Sequence, residues 1–291
     1  MEGKINSVYS PIFLLPSFTI YLLFFLVPTV IGFFFSFTDW NIHLDKISFI
    51  GLENFVSIFT KRVIRLAIKN SLQFAIITTI GKNVLGLVLA LLVNSAIKGR
   101  NFFRSIFFFP AVLNYIIIGL LFTYILHPNG VLNSLLSQFG FGNVGISWIA
   151  DRKYVMYSVS AVEIWQWSGF HMAIYLAGLQ SIPSSLIESA QLDGANAFQQ
   201  FSRITFPLIM PSFNVSLVIA LISGFKVFDL IYVLTDGGPG YASEVINTQI
   251  YRTFGEGRWG YATAMNLLLF IFITTISLTL LLFLRKKEVE H

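Results

Sequence analysis

Six long apolar stretches constrain this chain more than any other feature of its sequence. A helix needs about 20 mostly apolar residues to cross the hydrocarbon core of a bilayer. Stretches of that length occur at approximately residues 11–37, 71–97, 105–126, 155–180, 208–234 and 262–284. The sequence therefore predicts an all-α, polytopic membrane protein with six transmembrane helices. We expect them to form a single transmembrane domain over residues 1–291, with both termini on the same side.

The composition agrees with a membrane location and excludes several kinds of chemistry. Apolar residues make up 55% of the chain and charged residues only 11%, against about 25% charged in soluble domains. Without cysteine, the chain has no disulfide, thiolate metal site or cysteine nucleophile. The net charge of +5 is interpreted as basic residues that flank spans, rather than as a nucleic-acid surface. We expect the first stretch to be retained, because it exceeds the length of a signal-peptide core and no alanine precedes Ala67.

The basic residues give the orientation only after they are sorted by position. With the N-terminus inside, eight Lys and Arg residues lie in inner segments and nine in outer segments. The inner ones are Lys4, Lys98, Arg100, Arg104, Arg203, Arg285, Lys286 and Lys287. Four of the outer ones, in segment 61–69, have helical spacing and predict an amphipathic interfacial helix before the second span. The basic turn 98–104 and the basic residues after the sixth span are typical of cytoplasmic anchors, so we expect both termini to be cytoplasmic.

The loop between the fourth and fifth stretches is unusually polar for this chain. Pro183 and Ser184 predict the start of a helix, and Gly194 predicts its end. A second short helix is expected at 196–205, before Pro207. Two such helices would lie along the membrane surface and present a protrusion to a partner. The alternative is an ordinary amphipathic connector.

The sequence of this loop resembles the EAA loop of ABC-importer permeases. The resemblance rests on Glu188-Ser189-Ala190-Gln191-Leu192-Asp193-Gly194-Ala195, in which Ser189 replaces the usual alanine by another small residue. Further blocks resemble the carbohydrate branch of that family and follow in family order from residue 14 to about 261. They are Leu14-Leu15-Pro16, Ser36-Phe37-Thr38-Asp39-Trp40, Phe49-Ile50-Gly51-Leu52-Glu53-Asn54-Phe55, Gly99-Arg100-Asn101-Phe102-Phe103-Arg104, Leu176-Ala177-Gly178-Leu179-Gln180-Ser181-Ile182-Pro183, and Phe228-Asp229-Leu230-Ile231-Tyr232-Val233-Leu234-Thr235-Asp236-Gly237-Gly238-Pro239-Gly240.

The resemblance implies a type I ABC importer permease that forms half of a sugar path in a prokaryotic plasma membrane. Such permeases pair with a second, homologous permease, bind a dimer of ATP-binding subunits and receive sugar from an extracytoplasmic substrate-binding protein. Besides lipid, these are the expected partners, and no nucleic acid is expected. By the same resemblance, the coupling residues are Glu188, Ser189, Ala190, Asp193, Gly194 and Ala195.

The chain lacks the means to hydrolyse ATP by itself. Its Gly-Lys pairs, Gly3-Lys4 and Gly81-Lys82, lack the upstream glycine and following Ser or Thr of a P-loop. We therefore expect no cofactor on this chain, with ATP and Mg²⁺ bound by the partner ATPase. The histidines show no metal-ligand spacing and the acids are scattered. The alternatives are an ATP-independent secondary transporter and an integral membrane enzyme.

Charged side chains inside the predicted spans need a partner or an aqueous surface, because each costs about 2.5–3.5 kcal/mol at a helix centre. There are four: Lys82, Glu163, Lys226 and Asp229. Lys82 and Glu163 lie at similar depth and predict a buried interhelical pair, with direct sugar contact as the alternative. Lys226 and Asp229 are three residues apart and predict a local ion pair on one helix.

The fourth span carries the best candidate sugar surface. Glu163, Gln166, Trp167, Phe170 and Ile174 fall on one helical face. This face combines hydrogen-bonding groups with aromatic rings, as sugars require. The resemblance adds positions in the fifth span. The candidate substrate path is then Gln166, Trp167, Phe170, Ser223, Gly224 and Val227. The alternative is helix packing, in which aromatic stripes and small residues are also common.

Overall fold

The computed structural model describes residues 11–95, 99–141 and 145–285. Within these ranges the chain is mostly helical and has no β-strand. The basic residues Lys4, Lys98, Lys286 and Lys287, on which the predicted orientation partly rests, lie outside the described residues. The contacts divide the chain into two compact units, Met1–Lys61 with Ile250–Leu269, and Arg62–Gln249 with Phe270–His291.

The helices are numbered here in chain order. They are α1 (Ile12–Phe35), α2 (Glu53–Thr60), α3 (Arg62–Asn94), α4 (Arg100–Phe108), α5 (Tyr115–Ile125), α6 (Val131–Leu136), α7 (Val155–Gln180), α8 (Ser184–Leu192), α9 (Ala197–Leu208), α10 (Met210–Phe225), α11 (Asp229–Leu234), α12 (Ile246–Gly255) and α13 (Trp259–Arg285).

The first unit contains an aromatic cluster at the end of α1. The Trp40 ring lies 4.2 Å from that of Phe35 and 4.9 Å from that of Trp259, measured between ring centroids. The side-chain amide of Asn54 donates to two backbone carbonyls of segment 36–38. Because tryptophan favours the membrane–water interface, this cluster is typical of the end of a span.

The second unit is built around α3, α7 and α10. An added Cβ at Gly86 of α3 would lie 2.8 Å from the Cβ of His171 in α7. At Gly224 of α10 it would lie 2.8 Å from the Cα of Ala75 in α3. Small residues therefore let these three backbones approach closely, as in many membrane helix bundles.

Two apolar clusters occupy opposite ends of this three-helix core. One is centred on Phe74, Val155, Met156, Val159, Val162, Val227, Leu230 and Ile231. The other is centred on Ala90, Val93, Met172, Tyr175, Leu176, Leu179 and Ile209. Helices α3 and α7 both run from the first cluster to the second, so they are parallel, and α10 runs in the reverse direction. The middles of all three helices, between the clusters, carry polar side chains.

The predicted spans are only partly reproduced as membrane-crossing helices. Among the described residues, three helices are long and apolar enough to cross a membrane, or up to five if each of two bent pairs forms one span. The three are α1, α3 and α13. Helix α7 has the predicted bounds of the fourth span, but its polar middle excludes it from this set. A count of six spans is therefore not established by helix length and apolarity.

Two of the predicted spans are broken. The stretch 105–126 is not one helix, because α4 and the turn after it meet α5 at a bend of 98°. The break follows from Pro110 in a 3₁₀ turn and from Asn114, whose side chain caps α5 by accepting from the backbone N–H of Ile116. The stretch 208–234 is also interrupted, since α10 ends at Phe225 and α11 begins at Asp229.

The helix bounds correct two local predictions. Lys226 and Asp229 do not share a continuous helix, and the contacts of the described residues include no ion pair between them. The helix predicted for segment 61–69 is present from Arg62 onward, but it is the beginning of α3 and not a separate helix before the second span. The buried residues Ile64 and Ala67 give this beginning an apolar face, which lets the helix continue without interruption.

Candidate functional site

A cavity of about 410 Å³ opens in the second unit, in the polar layer between the two apolar clusters. It is lined by α5, α7, α10 and the break that follows α10. The lining residues are Tyr115, Glu163, Trp167, Phe170, His171, Ile219, Ile222, Ser223, Lys226, Val227, Phe228 and Asp229. The wall is thus largely apolar and aromatic, with a few polar groups, which is the usual character of a small-molecule site.

Helical spacing in α7 brings four of these side chains to the cavity. Glu163, Trp167, Phe170 and His171 are separated by steps that keep them on one face of the helix. The rings of Trp167 and Phe170 are half-buried and meet edge to face, with centroids 5.8 Å apart. One face of α7 therefore offers aromatic surface beside hydrogen-bonding groups.

The break between α10 and α11 supplies the opposite wall. The α-helical backbone is lost at Phe228, which has φ −142° and ψ −62°, and the Phe228 ring stacks on Tyr232 at 5.3 Å. Lys226 and Asp229 flank the break, and both are exposed and line the cavity. Non-helical backbone is tolerated at membrane depth where it lines such a space.

A buried ion pair connects the cavity wall to α3. The Lys82 Nζ is 3.4 Å from Glu163 Oε1 and donates to Ser223 Oγ at 2.8 Å. The two charged side chains are 1% and 3% exposed. The interhelical pair expected from the sequence is therefore present, and it links α3, α7 and α10 through one ammonium group.

Tyr115 of α5 extends this network. Its hydroxyl donates to Glu163 Oε2 at 3.5 Å and accepts from the indole N–H of Trp167 at 2.8 Å. The Trp167 ring is thereby held in place by its polar edge, and the residue remains half-exposed in the cavity lining. A second polar cluster, centred on Asn83 and Ser216, lies beside the first.

The structure brings together four of the six predicted substrate-path residues and separates the other two. Trp167, Phe170, Ser223 and Val227 line the cavity. Gln166 does not: it is 1% exposed and its amide donates to the backbone carbonyl of residue 113. Its side chain lies instead against the segment before α5, so the cavity does not support a substrate contact by Gln166. Gly224 does not line the cavity either, because it lies at the close contact between α10 and α3.

Sequence reasoning missed Tyr115, His171 and Phe228. His171 falls on the same face as Trp167, four residues on, and that spacing was a usable signal. Tyr115 lies on α5, and residue spacing in the sequence does not reveal where α5 packs against the other helices. Phe228 reaches the cavity only because α10 ends early.

The polar loop forms the predicted helix, glycine break and second helix. Helix α8 begins at Ser184, and Gly194 has φ +80°, a conformation that favours glycine. Asn196 and Gln199 then cap α9 through reciprocal side-chain to backbone hydrogen bonds. The second helix passes through Pro207 instead of ending before it.

This loop presents apolar side chains to the outside of the chain. Leu192 is 90% exposed and Phe198 is 77% exposed, although both lie beside tightly capped backbone. Glu188 is exposed as well, whereas Ala190 is buried. Exposed apolar residues with a polar rim are typical of a protein interface.

Comparisons with known proteins place these features in a family. A family model described as "Binding-protein-dependent transport system inner membrane component" matches residues 82–285. Among curated relatives, the probable starch degradation products transport system permease protein AmyD of Thermoanaerobacterium thermosulfurigenes is 35% identical, covering 98% of this chain and 97% of its own. The multiple sugar-binding transport system permease protein MsmF of Streptococcus mutans is 32% identical over 98% of both chains.

A solved structure agrees with these relatives. It is the crystal structure of a bacterial alginate ABC transporter in complex with alginate pentasaccharide-bound periplasmic protein. One of its chains superposes with a TM-score of 0.79 at 31% identity, covering 94% of this chain and 91% of that chain. The likeness therefore extends over nearly the whole fold.

The buried ion pair gives a first testable prediction. We expect Lys82→Met to lower stability by about 3–5 kcal/mol, because it leaves the Glu163 carboxylate buried without its cation. The double variant Lys82→Met/Glu163→Gln removes both charges and should recover most of that loss. Thermal unfolding and the yield of monodisperse, detergent-purified protein measure both effects. Equal losses in the single and double variants would show that the pairing does not matter.

Proposed function

Because this chain belongs to the family of binding-protein-dependent transport system inner membrane components, it is a permease subunit of an ABC importer and not an enzyme, and we propose that it carries a sugar. The observation that carries the proposal is the cavity in the polar layer of the second unit, lined by α5, α7, α10 and the break after α10. A polar solute that crosses the membrane needs polar groups along its path, and the hydrocarbon core of the lipid offers none.

The chemistry of the cavity suits a sugar. The faces of Trp167, Phe170 and Phe228 offer flat surfaces for sugar C–H groups, and Lys226 offers hydrogen-bond donors for hydroxyl oxygens. We propose Trp167, Phe170, Ser223 and Val227 as substrate-path residues.

The charges around the cavity favour a substrate without net charge. The Lys82 ammonium offsets the Glu163 carboxylate directly, and exposed Lys226 and Asp229 carry opposite charges. A dedicated anion or cation site would leave one sign in excess. The relatives named for starch degradation products and multiple sugars support a sugar as well.

We propose that the chain forms half of the path in a type I importer, as one permease domain with six spans. The spans are α1, α3, the α4–α5 pair, α7, α10 and α13. Parallel α3 and α7, with α10 reversed, fit spans that alternate in direction. The end of α3 and the α8–α9 loop share one end of the unit, since Asn94, Glu188 and Thr205 line one small cavity. With Arg100 just beyond α3, positive charge favours the cytoplasmic side for that end, and both termini are then cytoplasmic.

Other subunits of the importer are expected to supply the functions that this chain lacks. A second, homologous permease completes the path, and a dimer of ATP-binding subunits holds ATP and Mg²⁺. An extracytoplasmic binding protein delivers the sugar, and the periplasmic protein bound to the alginate transporter supports this expectation. The chain itself holds no cofactor.

We propose that the α8–α9 loop docks on the ATP-binding subunits through Glu188, Ser189, Ala190, Asp193, Gly194 and Ala195. Only three residues separate the end of α7 from the start of α8, and α9 bends into α10 at 70°. A movement of the loop is therefore transmitted to two helices that line the cavity. Closure of the ATPase would bias one of two global states of the path.

Reconstitution tests the proposal as a whole. Proteoliposomes containing this chain, a second permease, the ATP-binding subunit and a binding protein should take up one of a series of radiolabelled sugars from glucose to maltopentaose and raffinose. Uptake should require ATP and both permeases. Uptake by this chain with the ATPase alone would contradict the heteromeric assembly, and uptake without ATP would indicate a secondary transporter.

The cavity assignment predicts different outcomes for adjacent residues of α7. Trp167→Ala removes a stacking surface worth on the order of 1 kcal/mol, so uptake per assembled complex should fall several-fold. Gln166→Leu is the matched control, because Gln166 is buried outside the cavity, and its uptake per complex should stay near wild type. Complex yield, ATPase activity stimulated by the binding protein and uptake are measured together. If Trp167→Ala lowers only the yield, Trp167 serves packing and not the substrate.

The coupling loop makes a separate prediction. Gly194→Val strains the backbone at φ +80° and should reduce ATP-driven uptake at least tenfold while membrane insertion stays normal. Glu188→Lys should do the same by reversing a charge on the docking surface. Gly140→Val is the control, because Gly140 has a similar φ of +89° with open space around it, and lies in the loop before α7. Equal effects at both glycines would leave no specific role for the α8–α9 loop.

A further inference from the structure

His171 is a cavity residue whose hydrogen bonding is defined on one side only. The side chain lines the cavity and is 1% exposed. Its Nδ1 lies 2.8 Å from the hydroxyl of Ser216 in α10. Within the described part of the chain, its Nε2 makes no hydrogen bond to protein. Whether Nδ1 or Nε2 carries the proton therefore depends on whether the Ser216 hydroxyl donates to Nδ1 or accepts from it.

The direction of the Ser216 hydroxyl is set by Asn83 of α3. The Asn83 amide nitrogen donates to the backbone carbonyl of Thr79 at 2.7 Å, so its Oδ1 must point the other way. Two hydroxyl groups meet that oxygen, from Tyr175 at 2.6 Å and from Ser216 at 2.8 Å. An amide oxygen only accepts, so each hydroxyl donates its single proton to Asn83.

Ser216 then has no proton left for His171. Its oxygen accepts, and the His171 Nδ1 must carry the proton that it donates. A neutral imidazole has one N–H, which leaves a lone pair on Nε2. The described residues include no carboxylate paired with His171, and burial of an unpaired charge is costly, so the neutral ring is favoured.

We propose that the relay from Asn83 through Ser216 fixes His171 as the Nδ1–H tautomer, so that Nε2 faces the cavity as a neutral hydrogen-bond acceptor for a substrate hydroxyl. This inference rests on the sugar-carrying function proposed above and makes His171 a specificity-determining residue. Asn83 on α3 and Ser216 on α10 do not touch the substrate and act as positioning residues for this acceptor.

The acceptor complements the other groups of the cavity. The two Glu163 oxygens already receive protons from Lys82 and Tyr115, while Lys226 is a donor. Asp229 offers acceptor oxygens at the break after α10, whereas His171 Nε2 offers a neutral acceptor on α7, the helix that carries the rings of Trp167 and Phe170. Close packing supports a fixed ring position, because the backbone of Gly86 lies against the Cβ of His171.

The tautomer is measurable without any sugar. The chain has four histidines, so the complete transporter labelled with ¹⁵N only at the histidines of this chain gives few signals, and His171→Asn identifies that of His171. Solid-state NMR should show protonated Nδ1 and unprotonated Nε2. A proton on Nε2, alone or in addition to one on Nδ1, would overturn the proposal. Ser216→Ala, which removes the acceptor for Nδ1–H, should produce a mixture of tautomers, and an unchanged spectrum would overturn the relay.

Two substitutions separate recognition from packing. The His171→Asn amide can reach Ser216 but not the Nε2 position, whereas the His171→Gln amide places an oxygen near the Nε2 position. With the same labelled sugar series, uptake per complex should fall about tenfold for His171→Asn, as expected for a hydrogen bond of about 1.4 kcal/mol, and remain within about twofold for His171→Gln. Normal uptake by His171→Asn, or an equal loss in both variants, would overturn the role in recognition.

Failure of this inference is distinguishable from failure of the proposed function. If the wild-type transporter takes up none of the sugars, the proposed function fails and the NMR result still decides the tautomer. If wild-type uptake is normal and the Nε2 nitrogen is protonated, the function stands and His171 is not the acceptor.

Discussion

The buried ion pair between Lys82 and Glu163 is the interaction on which the rest of this structure depends. Neither charge is tolerated alone between two apolar clusters, because burying an uncompensated charge costs more free energy than most single packing contacts contribute. The pair satisfies both groups and, through Ser223, ties α10 to α3 and α7. A polar middle layer therefore exists inside a membrane protein without opening the bundle.

The cavity follows from that layer. Tyr115 is held by Glu163 and in turn holds the edge of Trp167, so the charged pair positions an aromatic surface that it does not itself provide. The early end of α10 then removes helical backbone from the opposite wall. A site for a solute with both hydroxyl groups and apolar faces is the chemical consequence, and our functional proposal rests on this consequence.

The α8–α9 loop joins the same two helices at their other ends, so the cavity and the proposed docking surface share two helices, α7 and α10. Gly178 of α7 sits against Ser212 of α10, which keeps the helices in contact between loop and cavity. A rigid contact of this kind lets a movement at the membrane surface act on the middle of the bundle. In the proposed scheme this chain has no nucleotide site, and closure of the partner ATPase acts on the cavity through this contact.

The sequence by itself determined the class of protein, the bounds of α7, the helix–glycine–helix loop and the pairing of Lys82 with Glu163. The class follows from a family resemblance, and the others follow from local rules: apolar length, capping, the conformational freedom of glycine and the cost of an unpaired charge. Only the tertiary structure decided that Gln166 faces away from the cavity, that Tyr115 and His171 belong to it, and that the stretches around Pro110 and Lys226 are broken. Those outcomes depend on which neighbouring helix meets each face, and residue spacing along one helix shows which side chains share a face but not which neighbour that face meets.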